Sequence, residues 1–200
     1  MAHNKSSDRR SDRKMVGVYT QSVLTQKAVM HITEIGTNLK QNLEEKLKFL
    51  NEGKCIIEGY VRPKSIQIIS YSSGIIYGDF IEFIIVFECE VCHPVEGMMI
   101  ENCAVTSITK AGIHATVETD LNIVPLHIDI ARDHHNMSPY FNSIAEGKKI
   151  TVSVIGIRYE LNDPHIEVIA QLIEPNNRKT LHIGGDSSDN DDDNGDDDYI

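Results

Sequence analysis

The chain reads as a small α+β unit followed by an all-β barrel of five strands, and three observations carry that expectation. Leu39, Leu43, Leu47 and Leu50 are spaced four, four and three apart, which puts one apolar stripe on a helix. Alternating apolar and polar runs lie on both sides of that helix, as strands with one buried face require. Beyond Pro94 come five more strand-like runs, with a polar, partly helical insertion between the third and the fourth. With 200 residues, 40% of them hydrophobic, the chain has enough apolar surface for two units of about 80 residues each.

Residues 1–14 carry five basic and two acidic side chains and almost nothing to bury, so they are expected to form a disordered basic arm. The α+β unit is placed at 15–94. Between Met15 and Ile32 the apolar residues suit one or two short strands. The leucine stripe follows, with Asn38 and Gln41 as a capping pair and Gly53 as the stop. A helix with one apolar face needs a sheet opposite it. Three runs supply the sheet: KCIIEGY, SIQIISY and DFIEFIIVFECEV. In the last, Ile81, Phe83, Ile85, Phe87 and Cys89 share one face, and Glu82 and Glu88 the other.

The barrel is placed at 95–175, with strands in MMIENCAVTSI, GIHATVE, IVPLHIDI, KITVSVIGIRYE and HIEVIAQLI. Val124, Leu126, Ile128 and Ile130 are expected to point inward, as are Ile166, Val168, Ala170 and Leu172. Five short strands with a helical link after the third match the OB barrel. Residues 176–200 are expected to be a disordered acidic tail, since residues 186–200 hold eight Asp and no base.

No run of 18 uncharged apolar residues occurs, so neither a membrane span nor a membrane partner is expected, and the polar N-terminus does not read as a secretory signal. Four cysteines are too few for a disulfide scaffold of this length and suit a reducing, intracellular compartment. A net charge of -11 argues against non-specific duplex binding as the main task.

Three constellations could carry chemistry. Cys89-Glu-Val-Cys92-His93 has the form of a haem attachment site, and its CxxC also suits zinc, but no second CxxC completes a tetrahedral set, so structural thiols are expected. Asp133, His134 and His135 could serve a metal-dependent hydrolase. Adjacent strand residues point opposite ways, however, and no nucleophile or phosphate-loop motif accompanies them. Helix-start or interface roles are therefore expected, with no metal, cofactor or catalytic residue. Finally, if Ile113, Val117, Leu126 and Ile128 point inward, His114 and His127 face outward on strands two and three, the usual nucleic-acid face of an OB barrel. Lys110 in the first loop, Arg132 after strand three and Arg158 near the end of strand four complete an expected RNA-binding set. Eleven acidic residues against five basic ones in 95–175 predict that binding is weak.

These residues resemble a known family, the stalk subunits of multisubunit DNA-directed RNA polymerases, which comprises the seventh subunit of eukaryotic polymerase II and its archaeal counterpart. The resemblance runs from about Tyr19 to Pro175. It passes through the helix TNLKQNLEEKLKFLNEGKC, through GYVRPKSIQIISYSSGIIY, and through the join of Phe87, Pro94, Glu96 and Gly97 to VIGIRYELNDPHIEVIAQL. Its RDHH and YELNDP stretches are most similar to versions encoded by large DNA viruses. The resemblance implies an RNP-like tip domain that docks on the polymerase core subunits, and an OB domain of the ribosomal S-one type near nascent single-stranded RNA. It implies no active site, and it makes a second stalk subunit a candidate partner. A viral chain would work in the cytoplasmic virus factory and virion, a cellular one in the nucleus. The alternatives are a free-standing OB-fold RNA-binding factor in translation or RNA processing, and the metal-dependent hydrolase.

Overall fold

The computed structural model describes residues 17–175, apart from 118, 120–122 and 136–137. The arm expected at 1–14 and the tail expected at 176–200 lie outside the described residues. The chain is mostly β with few helices, and it forms two sheets, of which the second closes.

The first sheet rests on two long antiparallel partners, β1 (Tyr19–His31) and β6 (Phe80–Cys92), paired along their full length from Tyr19 opposite Cys92 to His31 opposite Phe80. The segment read as one or two short strands is thus one continuous strand. Its burial alternates with a period of two, but polar Ser22 and Gln26 take inward positions and Val23 and Val29 outward ones, so the apolar residues alone do not mark its length. The other edge of β6 is shared by β3 (Gly59–Val61), β4 (Gln67–Tyr71) and β5 (Ile75–Tyr77), and β2 (Cys55–Ile56) pairs with β3. Helix α1 (Leu39–Asn51) buries Leu43 and Leu47 against one face of this sheet. There they join Ala28, Met30, Val61, Ile68, Phe83, Ile85, Phe87 and Cys89. Asn38 does precede the helix, but its side chain makes no capping hydrogen bond, so the expected capping pair is absent. Asn42 instead donates from Nδ2 to the Glu34 carbonyl at 2.8 Å.

The second sheet is a closed barrel with neighbours in the order β10-β11-β9-β8-β7. Its strands are β7 (Met99–Ile108), β8 (Gly112–Val117), β9 (Leu126–Ala131), β10 (Lys149–Arg158) and β11 (Ile166–Ile173). All pairs are antiparallel except β9 with β11. Between β9 and β10 lie a 3-10 turn at Arg132–His135 and the short helix α2 (Pro139–Asn142), the partly helical link that the sequence predicts. Leu126, Ile128, Ile130, Ile166, Val168, Ala170 and Leu172 all point inward, while Val124 lies ahead of β9 and is only half-buried. Closure brings backbones close: a Cβ on Gly112 would sit 2.2 Å from the Ile130 carbonyl oxygen, so that position must be glycine.

The two sheets share a core. Tyr19, Cys55, Tyr60 and Cys92 of the first sheet pack with the barrel interior. The β10–β11 hairpin reaches back to β2, where the Cys55 N–H donates to the Asp163 carbonyl and the Asn162 N–H to the Cys55 carbonyl, both at 2.8 Å. Tyr159 Oη donates to the Ile57 carbonyl at 3.0 Å. No helix among the described residues is long and apolar enough to cross a membrane.

Candidate nucleic-acid interface

Strand parity lays the sequence-predicted residues on the outside of the barrel. Across β8, β9, β11 and β10, one row reads Thr116, His127, Glu167, Arg158, and the next reads His114, Asp129, Ile169, Gly156. Lys110 lies in the β7–β8 turn, and Arg132 follows β9. The structure therefore brings Lys110 together with Arg132 at one end and His127 near Arg158 at the other, with His114 between. It does not gather all five into one groove, because the register that sets the rows also separates the ends.

Several of these side chains are already engaged. Arg132 donates from Nε to the Lys110 carbonyl at 3.0 Å, from Nη2 to the Thr109 carbonyl at 3.2 Å and from Nη1 to Asn142 Oδ1 at 3.4 Å. Its guanidinium lies over the Phe141 ring. It clamps the turn that carries Lys110, so only its outer edge remains for a ligand. His114 Nδ1 lies 2.5 Å from Asp129 Oδ1. His127 stacks on His165, with ring centroids 3.8 Å apart and planes 16° off parallel. Partial burial, and then the neighbouring His165, hold His127 below the ordinary histidine value, against the opposing pull of Asp129 and Glu167. The stacked imidazoles provide a flat platform suited to a base, while the two carboxylates beside them oppose a phosphate.

His165 was missed in the sequence, although parity marks it: it stands one residue before inward Ile166, and so faces out beside His127. Also unrecognised was the projecting β5–β6 hairpin. Ile75, Ile76, Tyr77 and Phe80 are each more than half exposed there, and successive residues point to both faces. On the sheet face away from α1, exposed Val23, Val29 and Ile84 add to this apolar surface.

The other constellations resolve by geometry. Cys89 belongs to the core under α1 and Cys92 to the core shared with the barrel, because three steps along a strand reverse the face. The two thiols do not converge on one ion. Burial pushes Cys89 up to about 11 and Cys92 to about 12, far from the thiolate that metal binding uses. His135 is buried, with Nδ1 3.0 Å from the Ala131 carbonyl and Nε2 accepting the Leu172 N–H at 3.0 Å. Both ring nitrogens thus serve the backbone, whereas Asp133 and His134 face solvent. Among the described residues no group of three His, Cys, Asp or Glu side chains could hold a metal ion.

No known family profile matches the chain. Over 168 residues it is 27% identical to a protein of Acanthamoeba polyphaga mimivirus provisionally named DNA-directed RNA polymerase subunit L376, a similarity that covers 78% of this chain and 83% of that protein.

Proposed function

We propose that this chain is a non-catalytic stalk subunit of a multisubunit DNA-directed RNA polymerase. In this reading the first sheet is an RNP-like tip domain that docks on the core, and the barrel is an OB fold of the S-one type held near nascent RNA. The mimivirus relative supports a subunit role in a DNA-directed RNA polymerase. A closed five-stranded barrel with a helical link after its third strand is what an OB fold requires.

The observation that carries the docking role is the β5–β6 hairpin. Ile75, Ile76, Tyr77 and Phe80 project apolar surface on both sides of a two-stranded ribbon, which only insertion into a cleft of another protein would bury completely. Surface of this kind suits assembly rather than catalysis. The RNA contact falls to Lys110, His114, His127, Arg132 and Arg158, with the His127–His165 stack as the base platform and a dissociation constant no tighter than about micromolar.

Affinity purification of the full chain from its native source tests the reading. The wild-type protein should bring down the large polymerase subunits, and Ile76→Asp with Tyr77→Asp should release them while leaving the melting temperature unchanged. Absence of polymerase subunits from the wild-type eluate, together with tight RNA binding by the isolated chain, would favour a free-standing RNA-binding factor instead.

A further inference from the structure

The charges of the barrel half are segregated. Lys110, Arg132, Lys148 and Lys149, four of its five basic residues, lie at the end formed by the β7–β8 turn, α2 and the start of β10. Among the described residues Asp133, Glu146 and Glu174 accompany them, and Glu101 borders this end beside Thr151 of β10. Among the described residues Arg158 is the single base towards the other end, with Glu96, Glu160, Asp163 and Glu167, while Asp129 lies between the ends beside His114. The basic end is built around α2. Arg132 lies over Phe141 and reaches Asn142, and Lys148 Nζ sits 4.9 Å from the Tyr140 ring centroid. None of the four bases forms an ion pair among the described residues.

The chain leaves the barrel at this same end. Thr151, two residues into β10, pairs with Ile173, the last residue of β11, and Ser138 Oγ donates to Glu174 Oε1 at 2.8 Å just before α2. From Pro175 only ten residues, 176–185, separate the barrel from a segment with eight Asp and no base, residues 186–200. Ten residues span at most about 35 Å, enough to return anywhere on this end. A tether this short corresponds to an effective concentration in the millimolar range, so that weak ion pairing suffices for contact.

We propose that the α2 end of the barrel is a docking site for the chain's own acidic segment 186–200, whose carboxylates occupy Lys110, Arg132, Lys148 and Lys149. This docking is independent of the polymerase reading. Its consequence for RNA is direct: the segment covers Lys110 and Arg132 and leaves the His127–His165 stack at the far end open, so a nucleic acid must displace the tail to use the whole face.

Amine acylation of the full-length protein tests this without RNA. The wild-type chain is compared with a full-length variant in which the eight tail aspartates are asparagine, and Lys40 of α1 and Lys64 of the turn between β3 and β4 serve as internal references. At about 0.01 M salt, where charges act over about 30 Å, Lys110, Lys148 and Lys149 should label at least about three-fold more slowly in the wild type. The difference should vanish near 1 M salt and should not change on dilution. Equal rates in the two proteins at low salt would overturn the proposal, as would equal protection of Lys40 and Lys64 or protection that is lost on dilution.

Discussion

The first sheet and the barrel are made from strands of the same kind, yet they complete their surfaces differently. The barrel closes on itself, so every strand has two neighbours and the inward residues from Ile100 to Leu172 cover one another, joined only by Tyr19, Cys55, Tyr60 and Cys92 of the first sheet. The first sheet has one helix on one face. Its β1 pairs, among the described residues, only with β6, and its far face and hairpin expose Val23, Val29, Tyr77, Phe80 and Ile84. An open edge and an uncovered apolar face are costs that a chain normally avoids. Their concentration in one half teaches that the barrel, with the few first-sheet residues at the joint, completes its burial while the sheet does not, and this favours the sheet as the side that meets a partner.

The comparison breaks most severely if closure is not what holds the barrel. Gly112→Ala places a methyl 2.2 Å from the Ile130 carbonyl oxygen, in the backbone of a neighbouring strand that cannot move without opening the barrel. Loss of cooperative melting is expected by calorimetry. Gly156→Ala, with no atom within 4 Å of the added carbon, should remain within about 1 kcal/mol of wild type. Equal behaviour of the two variants would mean that the barrel tolerates opening.

Next in size, Phe87→Ala removes a fully buried ring from the core under α1 and should cost about 3–5 kcal/mol in denaturant melts. By contrast Phe80→Ala, seven residues earlier on the same strand, should stay within about 1 kcal/mol, because its ring is half exposed. If the exposed ring proved as costly as the buried one, the sheet would not carry spare apolar surface.

That pair also shows what the sequence could and could not reveal. Alternation along β6 identified Phe83, Ile85 and Phe87 as buried, since a period of two assigns faces reliably. Phe80 lies on the opposite parity from Phe83, but nothing in the sequence says whether that opposite face is covered, because coverage depends on where α1 lands. The five barrel strands were recovered because each is an apolar-rich run that ends at a turn, with alternation cleanest in β9 and β11 and broken by bulges in β7 and β10. The joint between the halves was not. Asp163 and Asn162 meet Cys55 through backbone groups, which every residue possesses, and the contact spans more than a hundred positions. Among the site residues, outward parity located His114 and His127, whereas the engagement of Arg132 by three acceptors required the fold of α2 against the β7–β8 turn.

The joint allows a finer test. Tyr159 Oη spends its hydrogen bond on the Ile57 carbonyl, linking β10 to the loop after β2. Tyr159→Phe should lower stability by about 0.5–1.5 kcal/mol, the net value of one such bond. If the halves melt as one unit, a single transition should shift; a barrel transition that moves alone would show that the two regions unfold independently.

The smallest expected effect concerns acid. His127 is flanked by Thr116 on β8, Asp129 on its own strand, Glu167 on β11 and the stacked ring of His165. Burial and His165 outweigh the two carboxylates and lower its affinity for protons below the ordinary histidine value of 6.5. The unfolded chain, with His127 at that ordinary value, therefore binds more protons than the folded one just below it. Stability contributed at this position is intact above about pH 6.5, falls as the pH drops through the window between the unfolded and folded values, and levels off below the folded one. Other groups titrate in the same range, so the informative quantity is the melting temperature of wild type minus that of His127→Gln. That difference should decline from pH 7 to pH 5, and parallel profiles would mean that the stack carries no proton penalty. The location gives the effect its interest: the His165 carbonyl accepts from Cys55 Sγ at 3.5 Å, so a charge that pushes the two rings apart acts on the hairpin by which the closed barrel grips the open sheet.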